Sequence, residues 1–362
     1  MQMQTITDPQ LVEDRTIYGT LILEDGTQFE GKSFGYRQAQ AGEVVFSTGM
    51  VGYPEALTDA SFEGQLLVLT YPLIGNYGVP EQALWEDERI HVSGLIVSNY
   101  IDTPSHAQST MTLATWLKQQ KVPALEIKDT RRLTQHIRQH GAMLGKIVFE
   151  QDIPFYNPDQ ENQIARVSTK KLVRAGKGNK TIALIDCGAK RNIVRSLLKR
   201  NVEVITVPWD YALFAPEQPL HFDGIVISNG PGNPKYATAT INTIRTALEH
   251  NVPTLGVCMG NQLLTLAAGG DTYKMKFGHR SQNQPCVMNG TQRCYITTQN
   301  HGYAVGDIPE GFAPWFSNAN DETNEGIKHI SKPFMSVQFH PEAAPGPVDT
   351  EWVFDYFLEK IR

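Results

Sequence analysis

From Thr181 onward the chain alternates apolar runs with helical patterns, and that alternation restricts its fold more than any other feature of the sequence. "TIALIDCG" is followed by a helical "AKRNIVRSLLKRN", then by "VEVITVPW", "FDGIVISNGPG", a second helical stretch at 236–250 and "VPTLGV". Short continuous apolar runs suit strands covered on both faces, and the helical stretches between them are long enough for crossovers, so the pattern predicts right-handed βαβ units. The expected architecture over 181–362 is an α/β domain with a mostly parallel sheet flanked by helices. Residues 16–150 have another texture. "TLILEDGTQFEGKSFG", "GQLLVLTYPLIGNYG" and "SGLIVSNY" are β-type runs broken by glycine turns, with helical patterns only near 109–121 and 129–140, which predicts an α+β domain. The stretch 151–180 reads as a linker. Its residues 164–180 carry six Lys or Arg and no acid, a pattern read as a solvated connection in preference to a basic docking surface. Residues 1–15 form an N-terminal extension with no assigned role.

A chain of 362 residues, 41% hydrophobic and 19% charged, has apolar content for two cores. The formal charge of −6 lacks the basic excess of a nucleic-acid binder and fits a protein that handles small molecules. No apolar run approaches the roughly 18 residues of a membrane span, and "MQMQTITDPQLVEDR" lacks the basic and apolar regions of a secretory signal. The expectation is a cytoplasmic protein with no nucleic-acid or membrane partner. Four cysteines without a CxxC pair fit reduced thiols.

One of them stands apart. In "GVCMGNQ" Cys258 follows the apolar "VPTLGV" and precedes a helical "NQLLTLAAGG", with Gly256 and Gly260 on either side. Glycines here permit a sharp strand-to-helix turn that presents the side chain, and the helix N-terminus favours thiolate while its amides can hold an oxyanion. The alternative for an isolated cysteine is a small buried core residue. The stretch "SVQFHPEAAPG" supplies context: its apolar run ends in His340, Pro341 and Glu342, and in an extended segment residues two apart share a side. A carboxylate beside an imidazole fixes its tautomer and stabilises imidazolium, as a base next to a thiol requires.

"GVCMGNQLL", "ISNGPGNP" at 227–234 and "QFHPEAAPGP" together resemble the class I glutamine amidotransferases. "LEDGTQFEGKSFG", "GEVVFSTGMVGYPEALTDASFEGQLLVLTYPLIGNYG", "DTRRLTQHIRQHGAMLGKI", "DCGAKRNI", "KMKFGH" and "TTQNHGYAV" narrow the resemblance to the small, glutamine-hydrolysing subunits of carbamoyl-phosphate synthases, from about residue 16 to residue 362. The resemblance implies a triad of Cys258 as nucleophile, His340 as base and acid, and Glu342 as orienting carboxylate. It also implies that glutamine meets Ser61, Gly230, Gly232 and Met259, together with Gln262, Asn300, Gly302 and Tyr303. Residue types agree with these roles in part: Gln262 lies one helical turn past Cys258, and glycines at 230 and 232 leave bare backbone beside a substrate.

Asn261 stands where the family usually has histidine, Tyr303 where phenylalanine is common, and "FGHRSQNQP" departs from the usual form after its histidine. His279 and His301 read as structural. No "GxxxxGK[ST]" loop or other nucleotide site is apparent, so the chain is expected to hold no cofactor and no metal. The resemblance implies that ATP and a divalent metal act on a large synthetase subunit, partnered as a heterodimer or a higher assembly of heterodimers, which uses the ammonia to make carbamoyl phosphate for arginine or pyrimidine synthesis. Two other classes remain open at this stage: a free-standing cysteine hydrolase, and a binding module with a silent site.

Overall fold

The computed structural model describes residues 16–217 and 219–361. The N-terminal extension 1–15 lies outside the described residues.

In the first half β1 (Tyr18–Leu23) and β2 (Gln28–Ser33) form a hairpin across "EDGT", where Gly26 takes a φ of 87° and Leu23 N–H donates to Thr27 O at 2.9 Å. There follow β3 (Gln40–Ser47), α1 (Tyr53–Leu57), β4 (Gln65–Leu69), β5 (Gly94–Val97), α2 (Leu113–Gln119), β6 (Ala124–Glu126), α3 (Thr130–His140) and β7 (Met143–Val148). β3, β4, β5 and β6 run parallel in that order. β2 pairs antiparallel with β6, β7 with β3, and β7 with β1, which closes the barrel. Alternate residues face two cores. Val44, Leu66, Val68 and Ile96 pack with Leu133 and Ile137 of α3, whereas Val45, Leu67, Leu95 and Val97 pack with Leu57 of α1 and Trp116 and Leu117 of α2.

The second half contains α4 (Gln163–Val167), β8 (Val173–Ala175), β9 (Thr181–Asp186), α5 (Arg191–Leu198), β10 (Glu203–Pro208), β11 (Gly224–Ile227), α6 (Thr238–Glu249), β12 (Thr254–Val257) and α7 (Met259–Ala267). It continues with β13 (Thr272–Met288), β14 (Cys294–Val305), β15 (Phe312–Asn318), β16 (Asn324–His329), β17 (Phe334–Val337) and α8 (Trp352–Leu358). These strands build a 10-stranded sheet ordered β14-β13-β15-β16-β17-β12-β11-β9-β10-β8. On one face Ile182, Leu184, Val226 and Leu255 meet α5 and α8; on the other Ala183, Ile185, Ile225 and Ile227 meet α6 and α7.

Strand directions correct the expected fold class. The first half, expected as an α+β domain, is built on a closed barrel of mixed direction. The second sheet is not mostly parallel. Only β10–β9, β9–β11, β11–β12 and β12–β17 are parallel, whereas β8–β10, β17–β16, β16–β15, β15–β13 and β13–β14 are antiparallel. The physical reason is that periodicity records which side chains are buried, not the direction or closure of the backbone ladder. β13, with the sequence TYKMKFGHRSQNQPCVM, is too polar to read as a strand, and its ladder with β14 carries register shifts at Lys274/His279 and Ser281/Gln284. Part of the stretch read as a linker is ordered too, as α4 and the edge strand β8. Among the described residues no helix is long and apolar enough to cross a membrane.

Candidate active site

Cys258 sits between β12 and α7 with φ 54° and ψ −101°, a conformation that non-glycine residues rarely adopt. The turn is held by close backbone approach. A Cβ on Gly256 would lie 2.3 Å from Gly260 O, and one on Gly260 would lie 2.3 Å from Ile227 O, so both positions exclude any side chain. The thiol is 1% exposed; it donates to Asn300 O at 3.6 Å and accepts from Gln338 Nε2 at 3.7 Å.

His340 Nδ1 and Glu342 Oε1 are 2.6 Å apart, both side chains being buried. The pairing does not arise from an extended segment. Residues 341–342 turn, Ala343 N–H donates to His340 O at 3.1 Å, and Ala343 and Ala344 take positive φ. The turn folds Glu342 back onto the ring. His340 Nε2 is buried and has no hydrogen-bond partner among the described residues. Burial opposes charge on this ring, but the Glu342 carboxylate and the Cys258 sulfur outweigh it and push His340 up to about 10. Burial likewise opposes ionisation of Glu342, and the charges of His340 and Lys190 overcome it and hold the carboxyl below its usual range.

Residues from both halves close over Cys258 around a narrow cavity whose lining includes Ser61, Gly230, Gly232, Met259, Gln262 and Asn300, and also Gly302 and Tyr303. All eight of the residues expected to meet substrate thus face one space. Ser61 accepts from Asn229 Nδ2 at 3.0 Å. Gln262 Nε2 donates to Tyr303 O at 2.8 Å, leaving Gln262 Oε1 buried without a partner. Gly232 takes a φ of 78°. Gly230 packs on Cys187 O, which a Cβ would meet at 2.1 Å, so its bare backbone is required by the protein as well as by any ligand.

Sequence reasoning missed four residues here. Asp59, 5% exposed, accepts from Ser61 N–H at 2.9 Å, Asn229 Nδ2 at 3.2 Å and Asn300 Nδ2 at 3.1 Å, joining the barrel half to the sheet half. Gln338 holds the sulfur from behind; its place two residues before His340 in "QFH" was a usable signal, since alternate residues share a side. Lys190, also buried, lies 3.4 Å from Glu342 Oε1, and burial is outweighed by Glu342, Glu86 and Asp59, which raise its pKa. Arg280 lines the cavity. Nothing local in "GAKRN" or "GHRSQ" marks the last two.

The departures from family pattern are accommodated. Asn261 lies behind the nucleophile, donating to Gln338 Oε1 at 3.0 Å and accepting from Ser336 at 2.7 Å. His279 sits between Asp321 at 2.8 Å and Glu325 at 3.3 Å, and His301 between Tyr303 O at 2.8 Å and Gln299 Oε1 at 3.1 Å. His279, His301 and Glu325 have ligand-type atoms within 4.8 Å of one another, with both ring nitrogens of His301 and Nε2 of His279 facing other protein groups.

Residues 183–360 match the family described as Glutamine amidotransferase class-I, and residues 21–147 match that described as Carbamoyl-phosphate synthase small chain, CPSase domain. The chain belongs to the carbamoyl-phosphate synthase small-chain family. It is 48% identical over 360 residues to Multifunctional protein CAD of Squalus acanthias, covering 95% of this chain and 16% of that protein. With human Carbamoyl-phosphate synthase [ammonia], mitochondrial, it shares 47% over 356 residues, covering 94% of this chain and 24% of that protein. With Multifunctional protein URA2 of Saccharomyces cerevisiae it shares 42% over 405 residues, covering 99% and 18%. This small-chain family member therefore spans 16% to 24% of the length of these relatives.

Proposed function

We propose that this chain is the glutaminase component of a carbamoyl-phosphate synthase, with Cys258, His340 and Glu342 as its catalytic residues. The observation that carries the reading is the strained Cys258 elbow, which opens on a cavity lined from both halves, together with a buried His340–Glu342 pair whose ring feels the Cys258 sulfur. The Glu342 carboxylate and the Cys258 sulfur draw His340 toward its protonated form, so the ring takes up the thiol proton as the sulfur attacks. The Cys258 sulfur attacks the side-chain amide carbon of glutamine, and the carbonyl oxygen becomes an oxyanion whose reception is assigned to the amide of Met259 and an amide of the Gly230–Gly232 loop. The His340 Nε2 proton goes to the leaving nitrogen, the C–N bond breaks, and ammonia departs from a γ-glutamyl thioester. Neutral His340 then takes a proton from water, whose oxygen attacks the thioester carbon and yields glutamate and the thiol. Glu342 and Lys190 position the ring without touching substrate.

ATP, divalent-metal and bicarbonate chemistry is assigned to a larger synthetase component, which takes up the ammonia for carbamoyl phosphate and hence for arginine or pyrimidine synthesis in the cytoplasm. A relative whose name specifies ammonia favours a second reading, in which the chain supports an ammonia-dependent synthase without hydrolysing glutamine. A histidine base poised at a strained thiol supports the first. Carbamoyl-phosphate synthesis by the complete enzyme, measured with glutamine and with ammonium in turn, separates them. Wild type should use either nitrogen source, and Cys258→Ser should lose glutamine use while keeping ammonium use. A wild type that uses ammonium and not glutamine would refute the glutaminase reading, and equal, substantial glutamine-dependent rates in wild type and Cys258→Ser would remove Cys258 as its nucleophile.

A further inference from the structure

In the antiparallel wing of the second sheet, buried acceptor atoms gather with too few hydrogens to share. His279 of β13 and His301 of β14 are direct partners in the ladder, their ring centroids 5.0 Å apart, and Glu325 lies on β16, which also pairs with β14. One nitrogen of each ring and one Glu325 oxygen lie within 4.8 Å of one another, and all three residues are buried. One side of each ring is already committed. His279 Nε2 meets Asp321 Oδ2 at 2.8 Å, and His301 Nδ1 meets Tyr303 O at 2.8 Å. A neutral imidazole has a single N–H, so a ring that donates to these oxygens leaves its other nitrogen as a bare lone pair.

Those second nitrogens find no donor. His279 Nδ1 is buried without a hydrogen-bond partner, 3.3 Å from Glu325 Oε1, and His301 Nε2 stands 3.1 Å from another acceptor, Gln299 Oε1. The Gln299 amide is held in this orientation, because its Nε2 donates to Thr297 Oγ1 at 3.2 Å and that hydroxyl has given its own hydrogen to Gln284 O at 2.9 Å. Glu325 Oε2, on a fully buried side chain, has no partner among the described residues. Unpartnered carboxylate and imidazole atoms, beside a lone pair set against a further acceptor, are costly to bury and point to a missing cation.

The donor set says which kind of cation. Two imidazoles and a carboxylate suit a transition ion such as Zn²⁺, whereas Mg²⁺ and Ca²⁺ sites are built of oxygens. The 3.3 Å between His279 Nδ1 and Glu325 Oε1 is the edge of a tetrahedron whose metal–ligand bonds are about 2.0–2.1 Å. Ligating histidines direct their second N–H to a carboxylate or a backbone carbonyl, the parts that Asp321 and Tyr303 O play here. The Asp321 side chain is 42% exposed, so only one residue separates the cluster from solvent on that side.

We propose that His279 Nδ1, His301 Nε2 and Glu325 form a structural Zn²⁺ site that clamps β13, β14 and β16, with Gln299 Oε1 beside the fourth position. The ion takes no part in the reaction, and the site does not depend on the glutaminase reading. It steadies the strand on which Asn300 O accepts the Cys258 thiol.

Cys258 and His340 offer a thiophilic ion a second place, so binding is measured in the full chain carrying Cys258→Ser. Equilibrium dialysis against Zn²⁺ should leave about one ion per chain, and the thermal unfolding midpoint should rise with Zn²⁺ concentration, as binding to the native state requires. Co²⁺ in its place should give the visible bands of a four-coordinate ion without the near-ultraviolet charge transfer that a thiolate ligand, such as the nearby Cys286, would add. Glu325→Gln keeps the side chain's shape and removes its charge, and on the same background it should weaken Zn²⁺ binding by at least about tenfold and abolish the rise in midpoint. His279→Gln should do the same. Absence of a bound ion in the Cys258→Ser chain overturns the proposal and leaves His279 as an imidazolium shared by two carboxylates. Unchanged Zn²⁺ affinity in Glu325→Gln, or a thiolate band with Co²⁺, places the ion elsewhere and overturns it as well. The dialysis, midpoint and Co²⁺ measurements need no change to the cluster, so they decide the matter even if His279→Gln fails to fold.

Discussion

Glu342 and the Cys258 sulfur hold the proton on His340 against the opposing effect of burial. His340, up to about 10 against an ordinary 6.5, binds its proton more tightly in the folded chain. Its contribution to stability is therefore fully present below 6.5 and is lost as pH rises toward about 10. Thermal unfolding of the wild type should show a midpoint that declines across that window, and His340→Asn should flatten the decline. Catalytically, His340→Asn should cost more of kcat than Glu342→Gln, because both proton transfers pass through the ring while the backbone turn still orients it. A larger loss in Glu342→Gln, measured as glutamine turnover, would give the carboxylate a direct acid-base role. Lys190 is bound to the same group. Lys190→Met leaves Glu342 and the buried Glu86 without their shared cation and should destabilise the fold by about 3–5 kcal/mol in denaturant titration, the range for breaking a buried ion pair.

Among the elements, the β12–α7 elbow is the least tolerant. A Cβ at Gly256 or at Gly260 would meet a carbonyl oxygen at 2.3 Å, and neither oxygen belongs to a movable side chain. Gly256→Ala should cost at least the ~1–3 kcal/mol of overpacking and displace the sulfur from His340, so glutamine turnover should fall more steeply than stability. Full turnover in that variant would mean that the turn is softer than its contacts require. By contrast α2 and α3 begin at side-chain caps that are legible in sequence: Thr112 accepts from Thr115 N–H at 3.2 Å, and Asp129 from Arg132 N–H at 2.9 Å.

Across the whole molecule the site depends on how the barrel half meets the sheet half. Asp59 ties Ser61 to Asn229 and Asn300, Glu86 accepts from Asn192 N–H at 2.9 Å and meets Arg195 at 3.1 Å, and Lys274 reaches Glu43. Ser61→Ala removes one hydroxyl and should raise KM for glutamine by the equivalent of ~0.5–1.5 kcal/mol. Asp59→Ala strands three donors and should raise KM further and lower the unfolding temperature, since unsatisfied buried groups cost more than a lost bond. If Ser61→Ala proved the more damaging, Asp59 would not be the hub of the interface.

The sequence by itself determined what local chemistry can encode. Strand and helix periods from Thr181 placed the βαβ stretch, glycines around Cys258 marked the elbow, and "HPE" put a carboxylate within reach of an imidazole. Each signal lies within a few residues, where backbone geometry leaves few alternatives. Barrel closure was not legible, because β1 meets β7 across more than a hundred residues and no local pattern records a partner or a direction. The same holds for the antiparallel wing of the second sheet, built on the polar β13. Lys190, Asp59 and Arg280 were equally silent: each is a charged residue whose ordinary place is solvent, and only tertiary packing buries it in or around the site and sets its partners.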